Sequence, residues 1–169
     1  MTKENPVVRL ARLAAVAAVY FVMTVAIAPV AFGPLQLRIS EILVFLCFFR
    51  KDYCISLIVG CALANLFSPF GWYDLLFGTL HTAVSVLCIA YSPRLWIAGI
   101  FPVVFSFIIG FELALLGEGP FWLMFLSVMA GEALAVFAVG LPVFILLSKN
   151  KGFLKTIGAQ NEHGSRKRG

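Results

Sequence analysis

A mean hydropathy of +1.00, a charged fraction of 12% and a one-sided placement of the basic residues predict an all-α integral membrane protein. The expected form is a bundle of six transmembrane helices with both termini in the cytoplasm. A soluble domain carries about 25% charged residues to clothe its surface. This chain of 169 residues is 62% hydrophobic and has no such cover. Inside lipid every backbone polar group must be satisfied internally, which leads to helices. Each span needs roughly 20 apolar residues.

The first span is expected over residues 7–30. Lys3, Arg9 and Arg12 precede it and Ala26-Ile27-Ala28 ends it, a pattern that resembles a cleavable signal peptide. The apolar run from Leu13 is long for a signal, and Pro29 would follow the cut directly, so a retained span is expected. The second span runs over 34–49, entered through Gly33-Pro34. The third covers 53–67, the fourth 73–91 with Pro93 beyond it, the fifth 95–116 and the sixth 121–147. Residues 1–148 form the transmembrane domain. Residues 149–169 read as a basic cytoplasmic tail, polar and mobile. The second and third spans are short for a hydrocarbon core of roughly 30 Å. Short spans persist when they are buried in protein or line a cavity.

Charge placement sets the orientation. With six spans, the two termini share a side with the Arg50-Lys51 and Ser92-Pro93-Arg94 turns. That side then holds all of the 13 Lys+Arg except Arg38. Lys and Arg concentrate on the cytoplasmic side. The net charge of +5 therefore reports topology and contact with the lipid bilayer, and no nucleic-acid partner is expected. Glu41, Asp74, Glu112 and Glu118 fall toward the other side, while Glu132 and His81 lie near mid-span.

An acid near the centre of a span costs about 2.5–3.5 kcal/mol to insert and needs a reason. For Glu132 the reason is a ligand contact or a proton relay; the alternative is a structural pairing with His81 or Arg38. The small residues Ala130, Gly131, Ala133 and Ala135 beside it allow close helix approach. The stretch from Gly33 to Glu41 sets Gln36, Arg38 and Glu41 at the outer entrance of a short span. Arg38 and Glu41, at i and i+3, would share a helix face, either as an interfacial ion pair or as part of a site. Asn65 and Asp74 fall on the same side, flanked by Phe67, Phe70, Trp72, Tyr73 and Phe77. These rings form an interfacial belt or a stacking wall for a planar ligand. Arg38 set against Glu41, Asp74, Glu112 and Glu132 leaves a formal −3. Such a site suits a cation or a ligand rich in hydrogen-bond donors, because a carboxylate accepts two parallel N–H bonds.

Other chemistries lack a motif. There is no Walker A loop, GxSxG or HExxH, and no internal repeat of the secondary-transporter kind. Neither an enzymatic activity nor a cofactor is expected. Cys47, Cys54, Cys61 and Cys88 sit in apolar runs without CxxC or Cys/His spacing, so they read as small hydrophobes and no metal is expected. In the first span Ala11/Ala15 and Ala14/Ala18 are small-xxx-small pairs that admit another helix, from this chain or from a partner.

A small six-span chain with an alanine-rich first helix resembles the substrate-binding S components of energy-coupling factor (ECF) transporters. The blocks GPLQLRISE and ANLFSPFGWYDLLFGT are similar to those of the QueT family, the queuosine-precursor S components, and the likeness spans nearly the whole chain. The resemblance implies a bacterial, multi-pass cell-membrane protein. It implies high-affinity capture of 7-aminomethyl-7-deazaguanine at the outer face, and uptake driven by a T component and two ATPase subunits. It carries Gln36, Arg38, Glu41, Asn65 and Asp74 over as residues that line or brace the site. Trp72, His81 and Glu132 complete the expected set, and His81 stands where a small residue is expected. Ala11, Ala14, Ala15 and Ala18 match the pattern for docking on the T component. Competing readings are an S component for another heterocycle, a free-standing proton-coupled carrier using Glu132, and a small membrane enzyme or scaffold.

Overall fold

The computed structural model describes residues 5–32 and 36–159, and among them there are helices and no strand. Helix α1 spans Pro6–Ala26. Asn5 caps it, its Oδ1 accepting from Val7 N at 2.9 Å, with Pro6 at the first helical position. A further helical turn, Ala28–Ala31, follows. Helix α2 covers Ile39–Phe49 and α3 covers Tyr53–Asn65. Helices α4 (Trp72–Tyr91), α5 (Leu95–Leu115) and α6 (Phe121–Leu147) follow, and α7 (Lys151–Thr156) closes the described chain.

Four helices, α1, α4, α5 and α6, are long and apolar enough to cross a membrane. The other two are short. The first seven residues of α2, Ile39–Phe45, wind as a 3₁₀-helix and the last four as an α-helix, giving a length of about 20 Å. The 13 residues of α3 also reach about 20 Å. The entrance expected at Gly33-Pro34 lies outside the described residues.

The basic end of the bundle is tied together. Arg9 Nε donates to Asp52 Oδ2 at 3.0 Å, and Arg50 Nε to Asp52 Oδ1 at 3.0 Å. The Lys51 ammonium lies 3.9 Å from the Tyr91 ring centroid. This brings the start of α1, the α2–α3 turn and the end of α4 to one end. Beyond α6 the chain turns back to the same end. Arg12 Nη1 donates to Thr156 O, Arg50 Nη1 to Gly158 O and Tyr53 Oη to Ile157 O, at 3.2, 3.1 and 3.0 Å. The mobile tail expected from residue 149 therefore does not hold over 151–159. Asn150 caps α7, and Ile157 and Ala159 are buried in the main core. Residues 160–169 lie outside the described part.

The same end holds the apolar core. Phe45, Phe49, Phe144 and Phe153 pack with centroids 5.6–6.4 Å apart. Tyr20, Leu57, Val86 and Ile89 are wholly buried beside them. Backbones approach closely where glycine allows it. A methyl on Gly60 would lie 2.8 Å from Ala17 O across α1–α3, and one on Gly110 would lie 2.6 Å from Phe125 Cα across α5–α6. Since α2 ends and α3 begins at the basic end and each reaches only about 20 Å, the last third of a ~30 Å span is left to other groups. Polar side chains occupy it.

Candidate functional site

Around the far ends of α2 and α3 stands a cluster of wholly buried polar residues: Gln36, Arg38, Ser40, Glu41, Asn65, Asp74, His81, Glu112 and Glu132. Burying such groups is costly unless each finds a partner, so their hydrogen bonds define the site.

Arg38 is the hub. It lies before α2 in extended conformation, not on a helix face shared with Glu41. The expected Arg38–Glu41 pair is replaced by another: Arg38 Nη2 reaches Asp74 Oδ1 at 3.5 Å, with both residues buried. Nη2 also donates to Gln36 Oε1 at 3.2 Å and Nε to Ala31 O at 3.3 Å. Phe32 lies under the guanidinium, 5.2 Å from ring centroid to Cζ. Gln36 itself has φ +47°, a left-handed conformation uncommon outside glycine. The backbone strain at this point aims an amide and a guanidinium into the bundle.

Asp74, in the first turn of α4, is held from all sides. Ser68 Oγ donates to its Oδ2, and Asn65 Nδ2 donates to its carbonyl at 2.8 Å. Gly78 makes this possible, because a methyl there would lie 2.7 Å from Asn65 Nδ2. Glu41 is held by Tyr20 of α1, whose hydroxyl donates to its Oε1. One turn on, Thr24 shares a 2.6 Å hydrogen bond with Ser40. Cys61, read from the sequence as a plain hydrophobe, accepts from Thr82 Oγ1 at 3.2 Å and Asn65 Nδ2 at 3.4 Å.

Six buried side-chain atoms of the cluster have no hydrogen-bond partner: Gln36 Nε2, Glu41 Oε2, Asn65 Oδ1, both carboxylate oxygens of Glu112, and Glu132 Oε2. Leaving a buried polar group unpaired costs about 1–3 kcal/mol. Five of the six accept hydrogen bonds and one donates. The arrangement is complementary to a small solute that is mostly donor, with an acceptor group for Gln36.

Seven of the eight expected site residues converge here. His81 does so without pairing to Glu132: its Nε2 donates to Pro102 O at 3.0 Å, the carbonyl of the proline inside α5. Glu132 lies at the edge of a π-helical stretch, Leu134–Gly140, that widens α6. Trp72 stands apart. It is 80% exposed on the outside of α4, where an interfacial ring belongs. Tyr20, Thr24, Ser40, Ser68 and Phe32 were not expected; a polar i, i+4 pair, Tyr20 and Thr24, inside an apolar span was the available signal. Glu112 entered the charge count but not the expected contacts. Ala11, Ala14, Ala15 and Ala18 are all exposed. Packing inside the chain falls to Ala17, against Gly60, while Ala14 opens onto an apolar groove with Leu10, Ile55 and Val59.

An apolar helix bundle with long helices around two short ones, and a buried, partly unpaired polar cluster where the short ones stop, has the build of a membrane protein that takes up a small polar solute. The comparisons narrow this class. The model of the QueT transporter family matches residues 10–149, and the chain belongs to that family. The queuosine precursor transporter QueT of Lactococcus lactis subsp. cremoris (strain MG1363) is 30% identical over 152 residues, covering 80% of this chain and 89% of the relative. No solved structure matches.

Proposed function

We propose that this protein is the substrate-binding component of an ECF-type importer in a bacterial cell membrane, and that its solute is 7-aminomethyl-7-deazaguanine, a queuosine precursor. The observation that carries the reading is the set of unpaired buried acceptors, Glu41 Oε2, Asn65 Oδ1, Glu112 Oε1 and Oε2 and Glu132 Oε2, beside an unpaired amide donor of the same cluster, Gln36 Nε2. The solute is planar and cationic. It offers N–H groups on its guanine-type edge, its pyrrole ring and its ammonium, with one ring carbonyl to receive a donor. The relative is named a queuosine precursor transporter, the class of solute to which this molecule belongs.

In this reading all six apolar helices span or nearly span the membrane, and the basic end with both termini faces the cytoplasm. Gln36, Arg38, Glu41, Asn65, Asp74, His81 and Glu132 line or brace an outward-facing site. The exposed alanine face of α1 (Ala11, Ala14, Ala15, Ala18) docks on a T component, which joins two ATPase subunits that power uptake. A free-standing proton-coupled carrier is the second reading, favoured by Glu132, buried at mid-helix with Oε2 unpaired. Transport in liposomes with and without the ATPase subunits separates the two.

Calorimetric titration of the purified protein in detergent tests the substrate. Tight one-to-one binding of 7-aminomethyl-7-deazaguanine and weaker binding of guanine is the expected result. No binding of either by folded, monodisperse protein refutes the substrate, and screening would move to other heterocycles.

A further inference from the structure

The carboxylates of the cluster divide into two groups that share Arg38 as a charged neighbour. Glu132 has Glu41 and Arg38 as its charged neighbours. Glu112 has Asp74 and Arg38. Within the second group the roles differ. Asp74 is already engaged, by Arg38 at 3.5 Å and by Ser68. Glu112 is wholly buried, its carboxyl lies against that of Asp74, and neither of its oxygens meets a donor group. Within the first group, Glu41 has one oxygen on Tyr20 and one unpartnered, and Glu132 has Oε2 unpartnered. Beside Arg38 lies the Gln36 amide, with Nε2 also unpartnered and Oε1 held by Arg38 Nη2 at 3.2 Å.

We propose, building on the substrate reading above, that the two groups read opposite sides of the ligand. Glu112 takes the amidine edge of the deazaguanine, and Glu41 with Glu132 clamps the aminomethyl ammonium.

The stereochemistry of the ligand argues for this assignment. Around the perimeter of 7-aminomethyl-7-deazaguanine come first the 2-amino and N1–H donors, then the ring carbonyl, then the 7-aminomethyl group. The protein site offers Glu112, whose carboxylate neighbour Asp74 is already paired with Arg38, the amide N–H of Gln36, and two neighbouring carboxylates, Glu41 and Glu132, each with an unpartnered oxygen. A carboxylate whose oxygens meet no donor of the protein, as in Glu112, can accept two parallel N–H bonds, as an amidine edge offers. An ammonium has three donors, no fixed plane and a positive charge, so it suits two neighbouring carboxylates arriving from two helices, α2 and α6. Gln36 Nε2 meets the carbonyl between them. Arg38 is a positioning residue: its side chain holds the Gln36 amide and Asp74. Asp74 thereby leaves the list of ligand contacts and becomes part of the frame, and Glu112 takes its place.

The test uses full-length protein in detergent and three probes. The first is 7-aminomethyl-7-deazaguanine. The second is its analogue without the 2-amino group. The third is 7-cyano-7-deazaguanine, which lacks the ammonium. Wild type should bind the first best and lose about 10- to 100-fold with either of the others, the cost of an unmade hydrogen bond to a buried charge. Glu112→Gln should weaken the first probe by a similar factor and abolish discrimination against the analogue without the 2-amino group, while keeping discrimination against the nitrile. Glu41→Gln and Glu132→Gln should do the converse. Glu112→Asp, which keeps the charge and withdraws it by one methylene, serves if Glu112→Gln is not recovered folded. It should lose selectivity for the 2-amino group in the same sense. Retained 2-amino selectivity in the Glu112 variants, or loss of amine selectivity in its place, overturns the assignment and leaves the substrate reading intact. A wild type that binds none of the three overturns both.

Discussion

Gly110→Ala tests how the candidate site is held together. Gly110 lies in α5, two residues before Glu112, and faces α6. An alanine Cβ there would lie 2.6 Å from Phe125 Cα and 2.8 Å from both Phe125 N and Cβ, whereas ordinary contact begins at 3.4 Å. Three of these atoms belong to or adjoin a helix backbone, which cannot rotate away as a side chain does. The two helices would have to part by about 0.8 Å, the difference between those limits. Forcing one methyl into a packed interface costs about 1–3 kcal/mol. For a chain of this size each kcal/mol is worth about 2–4 °C, so a fall of roughly 2–12 °C in melting temperature is expected. Glu112 would move with α5, so affinity for the solute should fall as well. The control is Gly119→Ala. Its Cβ would lie 2.8 Å from Met124 Cε, the free end of a flexible side chain that can swing aside. The assay is a thermal melt in detergent for the two variants and wild type, with a solute titration alongside. If Gly110→Ala melts within about 1 °C of wild type, or Gly119→Ala falls as far as Gly110→Ala, the argument from backbone contact is wrong.

Other consequences can be checked in the same preparations. Gly78→Ala should displace Asn65 Nδ2 from its 2.8 Å bond to Asp74 O, weaken solute binding about tenfold and lower the melting temperature by roughly 2–4 °C, because one neutral hydrogen bond contributes about 1 kcal/mol. Gly158 has φ +69°, and a Cβ there would run into the guanidinium groups of Arg12 and Arg50. Gly158→Ala should therefore release α7, read as faster proteolysis beyond residue 148. Asp52 is partly desolvated, which works against its charge, but hydrogen bonds and charge from Arg50, then Arg9, hold its pKa below the usual carboxylate value. A depressed carboxylate stabilises the fold above its unfolded pKa of about 3.9 and ceases to do so as pH falls through its folded value. Melts should therefore show wild type losing its advantage over Asp52→Asn only in acid below about pH 4; a constant advantage at every pH refutes the linkage. Ala14→Trp should leave solute titration unchanged and prevent co-purification with a T component. Recovery of the whole complex would move docking to another face.

Much of this architecture was legible in the chain. Long apolar runs bounded by Arg50-Lys51 and Pro93 marked where helices begin and end, because hydrocarbon leaves a backbone no other way to satisfy itself. The sixth helix was read to both ends, Phe121 and Leu147. Mid-span acids stood out because their cost demands a purpose. Partners were not legible. Arg38 and Glu41 are three residues apart, and helical spacing paired them. The chain instead stays extended through Arg38, and the guanidinium crosses to Asp74, 36 residues on. Trp72 and Asp74 are near neighbours in sequence, yet one faces outward and the other is buried, since two residues along a helix turn a side chain by roughly 200°. The folding back of residues 151–159 was equally hidden. Their charges predict solvation, but Ile157 is buried and the carbonyls around it meet Arg12 of α1, Arg50 of the α2–α3 turn and Tyr53 of α3.

Composition and periodicity therefore determined that this is a helical membrane protein with polar residues stored at one face, because those properties depend on each segment's own solvation. Which oxygens are engaged and which remain open was decided only by tertiary structure, because a hydrogen bond joins groups that sequence distance does not relate.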